Sequence, residues 1–249
     1  MIRMPTSYYI TCSIIIIQVA VVYSYMLWKK QGKSVQLVVA RYNEDVNWLM
    51  RPPFNKYPVV LYEKGSTSEL PCTVPYCMRI VLPNVGRCDH TYLHYIVAHY
   101  AHLPDIVIFL PGSAATNPKK LTTALNFFDN MNDIESLYEI DLDVDMTPDL
   151  YDFQLDQWIA SSQDNQRMNM ESKLQPAPIR PFGKWFHHHF SHDRRIPKVW
   201  YGGVIITTRE RIQRHPVRMY EDLRDELSTH SNPEAGHYME RAWFSLFCD

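Results

Sequence analysis

Short apolar runs rich in β-branched residues recur along the first half of the chain, and each one ends at a polar or Gly/Pro-containing turn. The runs are residues 34–40, 57–63, 78–82 and 105–110. Ahead of the last run, the apolar residues of segment 89–102 recur at helical spacing. Because strands that alternate with helices usually pair in parallel, the pattern predicts an α/β domain with a mixed, mainly parallel sheet flanked by helices.

The second half of the chain carries weaker signals of the same kind. A Gly-punctuated strand is predicted at 200–208, an amphipathic helix at 209–227 and a final helix at 236–247. Residues 121–131 are predicted to be helical, and residues 163–181 are typical of a long polar loop. The same domain therefore continues to the end of the sequence.

An uncharged apolar segment, residues 8–28, precedes these strands. Its length of about 20 residues is what a helix needs to cross the hydrocarbon core of a bilayer. Aromatic residues stand at both ends of the segment, as they do at the two interfaces of a membrane. The sequence predicts one N-terminal transmembrane helix with a short linker at 1–33, followed by a single α/β domain at 34–249.

The basic cluster Lys29, Lys30 and Lys33 bears on the orientation of this anchor. Because cytoplasmic flanks carry the excess of Lys and Arg, the charge rule alone places the domain in the cytosol. A lumenal domain, as in ER or Golgi proteins of the secretory pathway, is the alternative that the functional interpretation below favours. A cleaved signal peptide is disfavoured, since Ser24 stands between tyrosines rather than in a small-residue cleavage site.

Composition restricts the classes of partner. The chain has 25 Lys+Arg against 27 Asp+Glu and is 46% hydrophobic, so neither disorder nor a basic surface for nucleic acid is indicated. The 5 cysteines include no C-x-x-C pair, which argues against a zinc ribbon. Cys72 and Cys77 are near enough in sequence to close a loop by a disulfide, and free thiols are equally compatible with the sequence.

Four segments resemble an uncharacterised domain family of fungal, bacterial and viral proteins that is regarded as related to glycosyltransferases. In the family's order they are VVARYNEDVNWL at 38–49, residues 83–109, residues 200–216, and GHYMERAW at 236–243. They look like parts of a GT-A nucleotide-sugar fold. The resemblance implies a membrane-anchored transferase that moves a sugar from a nucleotide-sugar donor to a glycan or glycoprotein acceptor.

In a GT-A-like fold, the loop after the first strand receives the nucleotide, and here that loop is residues 41–45. Open α/β sheets bind ligands beyond the carboxyl ends of their strands, where the polar loops after the second and third strands also converge. The candidate nucleotide-binding residues are Arg41, Asn43, Glu44, Asp45, Glu63, Lys64 and Asn84. The alternative for the first loop is a solvated polar turn after a buried strand.

Sugar transfer needs a base for the acceptor hydroxyl, and Glu240 or Asp89 is the candidate catalytic residue. Arg41 and Lys64 are expected to offset the charge of the departing diphosphate. His237 shares a helix face with Glu240 because the two are three residues apart. The candidate acceptor-binding residues are Trp200, Tyr201 and His237. The two aromatic residues precede a Gly-Gly pair, which permits a ligand to approach closely.

The metal requirement stays open at the level of sequence. Metal-dependent GT-A enzymes carry an acidic D-x-D after the fourth strand to hold Mn²⁺ or Mg²⁺, whereas this chain has Pro-Gly-Ser at 111–113. The later carboxylates Asp141, Asp143 and Asp145 alternate along the chain, so on a strand they would share one face and could bind a hard cation. An exposed acidic stretch without an ion, and metal-independent catalysis, are the alternatives.

Two other functions remain possible. The missing acidic motif favours a non-catalytic carbohydrate-binding or structural domain with a degenerate GT-A-like fold. The histidine run at 187–189, with His192 and Asp193, invites a metal protein or hydrolase, although consecutive histidines point in different directions and a plain loop is the simpler interpretation. The chain contains neither G-x-S-x-G nor H-E-x-x-H, which argues against the hydrolase.

Overall fold

The computed structural model describes residues 32–65, 77–139, 144–156, 174–190 and 194–248. The chain divides into an N-terminal unit, Met1–Ser34, and a second compact unit, Val35–Asp249. Within the described ranges, no helix is long and apolar enough to cross a bilayer. The apolar segment at 8–28 lies outside these ranges, so the transmembrane helix stays a prediction.

The strands of the described chain form one sheet. They are β1 (Val35–Arg41), β2 (Val59–Glu63), β3 (Cys77–Val81), β4 (Ile106–Pro111) and β5 (Ile205–Thr208). Their order is β3-β2-β1-β4-β5, in which β5 is antiparallel to β4 and every other pair is parallel. The mixed, mainly parallel sheet that the sequence predicts is therefore confirmed.

Continuous apolar sequence explains which strands are central. All residues of β2 and β4 are buried, as are the last five of β1. Parallel strands that are covered on both faces carry such near-continuous apolar runs. In contrast, β3 is an edge strand, and its residues Met78 and Val81 are exposed. The apolar run thus weakens where the sheet meets solvent.

Helices cover the sheet. They are α1 (Arg87–His99), α2 (Pro118–Asp129), α3 (Ile134–Leu137), α4 (Thr147–Tyr151), α5 (Phe182–His189), α6 (Arg209–Gln213), α7 (Val217–Glu226) and α8 (Glu234–Phe247). The last of these is a core helix, since all its residues except Glu240 and Arg241 are buried. Its Trp243 lies against Tyr92 of α1 and Phe109 of β4, with ring centroids 6.2 and 6.4 Å away.

Two predicted boundaries were wrong for backbone reasons. The helix predicted at 209–227 is two helices, α6 and α7, because Pro216 cannot donate a backbone hydrogen bond and the second helix starts after it. The strand predicted at 200–208 begins only at Ile205. Gly202 and Gly203 have φ angles of +87° and +72°, so they form a turn rather than extended chain.

At the start of α1, Gly86 in left-handed conformation is the N-cap and Asp89 lies within the first turn. One further interpretation of the sequence was wrong. The histidine run at 187–189 does not form a loop, since it is the last turn of α5. That helix buries Phe182, Trp185 and Phe186 at spacings of three and four residues, which holds the histidines in helical conformation.

A buried carboxylate at the start of α8 joins distant parts of the chain. Glu234 accepts hydrogen bonds from the backbone N–H of Leu155 at 2.7 Å and of Ala177 at 2.8 Å, and from the hydroxyl of Tyr238 at 2.7 Å. It also pairs with Arg180, whose Nε is 2.8 Å away. Two irregular segments are therefore attached to the core helix through one side chain.

We expect Glu234→Ala to lower the free energy of unfolding by about 3 kcal/mol, because two buried backbone N–H groups and one arginine lose their acceptor. Urea denaturation of the variant and the wild type measures the difference. Asp225→Ala is the matched control, since that carboxylate is exposed and should change stability by less than about 0.5 kcal/mol. Equal effects of the two substitutions would contradict the role of Glu234.

Candidate functional site

The strand order places a topological switch point at the carboxyl ends of β1 and β4. The chain moves from β1 to β2 and β3 on one side, and β4 lies on the other side of β1. Open α/β sheets bind ligands at the loops that leave the two strands on either side of such a switch point. Here those loops are residues 41–45 and 111–113.

Glu44 lies against the loop that follows β4. Its Oε2 accepts a hydrogen bond from the backbone N–H of Tyr42 at 2.7 Å. A β-carbon at Gly112 would lie 2.7 Å from the same oxygen, so only glycine fits beneath the carboxylate. Trp48 closes the contact from the other side, because its Nε1–H donates to the Gly112 carbonyl at 3.0 Å. The two loops are thus in direct contact.

Asp89 brings a second carboxylate to this edge from the first turn of α1. Its side chain is buried, with the residue only 2% exposed, and its Oδ1 accepts a 2.7 Å hydrogen bond from Nε1–H of Trp243. Burial raises the pKa of Asp89 to about 6; the positive charge of Arg87 opposes this rise, and the negative charge of Glu240 reinforces it. The carboxylate is therefore poised to exchange a proton near neutral pH.

Cys88, next to Asp89, is a free thiol that packs under the turn before β5. A β-carbon at Gly203 would lie 2.9 Å from its sulfur, and the φ of +72° also favours glycine there. Burial, reinforced by Asp89, raises the pKa of Cys88 to about 12. The thiol stays protonated at neutral pH, which makes it a packing group rather than a nucleophile.

Glu240 supplies a third carboxylate, from α8. It is half-buried, and its Oε1 accepts a hydrogen bond from the backbone N–H of Gly202 at 2.8 Å. The other face of Gly202 meets the side chain of Lys120, since a β-carbon there would lie 3.3 Å from Cγ of the lysine. Lys120 in turn donates to Oγ of Ser113 at 3.0 Å. We call Glu44, Asp89, Lys120, Gly202 and Glu240 the carboxyl-edge site.

Electrostatic coupling connects the members of this site. The pKa of Tyr92 is raised well above its usual value by burial first, then by Cys88, Asp89 and Glu44. The same tyrosine donates its hydroxyl hydrogen to the Gly203 carbonyl at 2.8 Å. The carboxylates of Glu44, in the loop after β1, and of Asp89, in α1, therefore both raise the pKa of the buried Tyr92.

The predicted phosphate ligand Arg41 is engaged within the protein. It is buried at the end of β1, and its Nη1 lies 2.6 Å from Oε2 of Glu63. Its Nε donates to the carbonyl of Glu44 at 2.7 Å, and Arg79 approaches the second oxygen of Glu63 at 3.1 Å. To bind a phosphate, Arg41 would have to exchange these partners, so its nucleotide-binding role stays a prediction.

Lys64, the predicted second cation, is also buried. Its Nζ donates to the carbonyls of Val85 and Arg87, which ties the end of β2 to the turn before α1. Burial lowers the pKa of Lys64 to about 8 although Cys88 and Asp89 act in the opposite direction. The lysine therefore shapes the start of α1.

Exposed polar groups remain in the predicted nucleotide loops. Asn43 and Asp45 after β1, and Asn84 after β3, all face solvent. Asp45 accepts a 2.8 Å hydrogen bond from the backbone N–H of Asn47, which orders the loop. These side chains are therefore accessible to a ligand near the carboxyl ends of β1 and β3.

The predicted acceptor-binding residues separate into buried and exposed ones. Trp200 is 7% exposed and packs against Tyr138 and Phe244, whereas Tyr201 is 52% exposed. His237 is buried beside Arg87, whose Nη1 lies 2.8 Å from its ring nitrogens. Burial, then the charge of Arg87 and of a second arginine, lowers the pKa of His237 to about 2, so its ring is neutral at neutral pH.

No metal centre is present among the side chains that the structure describes: no three His, Cys, Asp or Glu groups there lie close enough to hold one ion. Asp141 and Asp143 fall outside the described residues. Asp145 accepts from the backbone N–H of Thr147 at 2.9 Å and lies 3.9 Å from Arg195. The metal role of the three aspartates therefore stays a prediction. In the histidine run, His189 pairs with Glu226 at 2.9 Å.

Sequence reasoning missed Lys120, Ser113 and Cys88. Lys120 had one local signal, since Lys119 and Lys120 follow Ser113 by six and seven residues and stand just ahead of the helix predicted at 121–131. No sequence pattern pointed to Cys88, because its position near the site is known only from its packing against Gly203.

The chain is thus an open α/β domain, and its carboxyl-edge site contains three carboxylates and one lysine. Residues 37–249 match the family described as "Protein of unknown function (DUF3431)", and the chain belongs to that family. No curated protein and no solved structure shows a significant match to the chain.

The raised pKa of Asp89 predicts a pH dependence of stability. Between about pH 4 and pH 6 the folded protein holds a proton that the unfolded chain has released, so stability falls as the pH rises through this window. Asp89→Asn keeps the oxygen that accepts from Trp243 but cannot ionise. We expect the variant to gain about 3 kcal/mol relative to the wild type between pH 4 and pH 8, measured by urea denaturation. Parallel pH profiles of the two proteins would contradict the assignment, and Asp225→Asn serves as the exposed control.

Proposed function

We propose that this protein is a membrane-anchored, GT-A-like glycosyltransferase that moves a sugar from a nucleotide donor to a glycan or glycoprotein acceptor. The observation that carries the proposal is the proximity of Asp89 on α1 to Glu240 on α8, the helix whose Trp243 donates to Asp89, with Glu240 bonded to the turn before β5. The side chain of Lys120 packs against Gly202 in the same turn. This arrangement offers the base and the positive charge that sugar transfer requires.

In the proposed reaction, the acceptor hydroxyl oxygen forms a bond to the anomeric carbon of the sugar. The bond from that carbon to the donor phosphate breaks, and its electron pair leaves with the nucleoside diphosphate. The hydroxyl proton passes to Glu240, which we assign as the base because its carboxylate is half-buried and within reach of a ligand at the turn. Atoms and charge therefore balance without a further reactant.

Asp89 has a different part in this proposal. Its carboxylate is buried under Trp243 and does not face a ligand, so it acts as a positioning residue that joins α1 to α8. Its negative charge also lies close enough to interact with Glu240, as the pKa of Asp89 records. We infer that Asp89 holds the catalytic carboxylate in place through the packing of the two helices.

The donor would lie along the loops after β1 and β4. Asn43 and Asp45 are exposed there and suit the hydroxyl groups of a ribose or the edge of a base. Tyr201, exposed at the turn before β5, is the aromatic face that we assign to the acceptor. The half-buried Glu240 accepts a hydrogen bond from the backbone N–H of Gly202, the residue next to Tyr201.

The proposed setting is the lumen of the secretory pathway, ER or Golgi, with residues 8–28 as a single membrane span. Cys77 is disulfide-bonded, to a partner outside the described residues, and Cys88 and Cys248 are free. Disulfides persist mainly in oxidising compartments. This bond supports a lumenal domain over the cytosolic one that the flanking lysines favour.

A second candidate is a carbohydrate-binding or structural domain without turnover. The ion pair between Arg41 and Glu63 favours it, because a predicted phosphate ligand is already neutralised inside the protein. Trp200 and His237 are buried as well, which leaves fewer groups for an acceptor. The two candidates differ in one measurable property, since only the transferase releases a nucleoside diphosphate.

We expect Glu240→Gln in the full-length, detergent-solubilised chain to slow transfer by about 10²–10⁴-fold, because the amide cannot take the acceptor proton. Glutamine still accepts the hydrogen bond from Gly202, so donor affinity should stay within about threefold. A thermal-shift screen of nucleotide sugars first identifies the donor, whose binding at 100 times its dissociation constant adds about 2.7 kcal/mol of stability. Release of nucleoside diphosphate in the presence of glycoprotein acceptors then measures transfer.

Glu210→Gln is the control, since that carboxylate is exposed on α6 and away from the edge. A donor that binds the wild type without any release of diphosphate would favour the carbohydrate-binding candidate. If no nucleotide sugar stabilises the wild type, the transferase proposal is wrong.

A further inference from the structure

The end of β4 is the place where a metal-dependent enzyme of the proposed type would present acidic ligands. The strand ends at Pro111 and continues into Gly112 and Ser113, none of which carries a carboxylate, and the Glu44 carboxylate that lies against this loop already accepts from the backbone N–H of Tyr42. A proline, a glycine and one hydroxyl are a poor ligand set for Mg²⁺ or Mn²⁺, which prefer carboxylate oxygens. The residues at this position do not fit a divalent ion.

A lysine is directed to that position instead. Helix α2 starts at Pro118, and its N-cap Asn117 accepts from the backbone N–H groups of Lys119 at 3.0 Å and Lys120 at 3.2 Å. This cap fixes the first turn of the helix, and the side chain of Lys120 then reaches back to the β4 end. Its Nζ donates to Oγ of Ser113 at 3.0 Å.

The charge of Lys120 is available to a ligand. The ammonium group has three donors, and Ser113 takes one of them. No carboxylate among the described residues forms an ion pair with Lys120. In contrast, Arg41 is paired with Glu63, and Lys64 is bonded to backbone carbonyls.

The turn before β5 lies against the stem of this lysine. The stem of Lys120 lies along Gly202, where a β-carbon would come within 3.3 Å of Cγ and 3.4 Å of Cε. Glu240 accepts from the backbone N–H of the same glycine at 2.8 Å. The lysine and the proposed base therefore contact the same glycine, so a phosphate held by Lys120 would lie next to the proposed base.

We propose that Lys120 binds the diphosphate of the nucleotide donor and takes the charge role that a divalent cation has in metal-dependent enzymes. The inference rests on the proposed function and adds its donor-side residue. In the transfer step the bond between the anomeric carbon and the phosphate oxygen breaks, and the oxygen gains negative charge. The ammonium of Lys120 offsets that charge with its remaining N–H donors, so donor binding requires no metal ion.

The test uses the full-length chain in four forms: wild type, Lys120→Met, Lys120→Arg and Lys119→Met. Methionine keeps an unbranched stem against Gly202 and removes the charge, whereas Lys119 is an exposed neighbour on the same turn. Titration calorimetry with UDP and GDP, and with uridine and guanosine as phosphate-free probes, is run in EDTA and again with Mn²⁺. Thermal denaturation without ligand confirms that each variant is folded.

We expect the wild type to bind a nucleoside diphosphate in EDTA, and Lys120→Met to weaken this binding at least tenfold. Binding of the matching nucleoside should change less than twofold, because it lacks the phosphates. Lys119→Met should stay within twofold of the wild type, and Lys120→Arg should retain most of the affinity because it keeps the charge. Rising salt should weaken the wild type more than Lys120→Met.

Two results would overturn the role of Lys120 and leave the transferase proposal standing. The first is diphosphate binding by the wild type that Lys120→Met leaves unchanged or that Lys119→Met weakens equally. The second is binding that appears only with Mn²⁺. Failure of the folded wild type to bind either nucleoside diphosphate under both conditions would overturn the transferase proposal together with this inference.

Discussion

The hydrogen bond from Trp243 to Asp89 is the contact on which the arrangement of the candidate site depends. It joins two helices whose residues are 154 positions apart in sequence, and it is buried together with the aromatic rings of Tyr92 and Phe109. A charged or polar group is stable in such a place only when it is hydrogen-bonded. Because α8 is held in this way, its carboxylate Glu240 reaches the turn before β5, next to the ends of the parallel strands.

The second theme of the structure is how its charges are used. Two of the charged groups predicted to bind a ligand neutralise each other inside the protein, since Glu63 is shared by Arg41 and Arg79, and Lys64 is bonded to backbone carbonyls of the turn before α1. These contacts are needed because burying an unpaired charge would cost several kcal/mol. Lys120 and Glu240 instead contact Ser113 and the backbone of Gly202, and both are only half-buried.

Sequence patterns predicted the sheet well because each strand of this sheet is a local signal. The β-branched runs that end at Ala40, Glu63 and Leu110 all became strands within one or two residues of the expected limits. Prediction was poorer where the boundary of a helix or strand depends on a proline, as at Pro216, or on glycines with a positive φ angle, as at Gly203. Of the predicted site residues, Glu44, Asp89 and Glu240 come together, whereas Trp200 and His237 are buried in the core.

The sequence by itself determined the α/β class, the segments that form β1, β2 and β4, and the location of polar loops after the strands, because these follow from hydrophobic periodicity and turn residues that act locally. Tertiary structure decided which of those polar groups remain available. Arg41 became an internal ion pair, Asp89 a buried carboxylate with a raised pKa, and Lys120 the partner of Ser113. Each of these outcomes depends on neighbours far away in sequence, whose distances and burial no local pattern encodes.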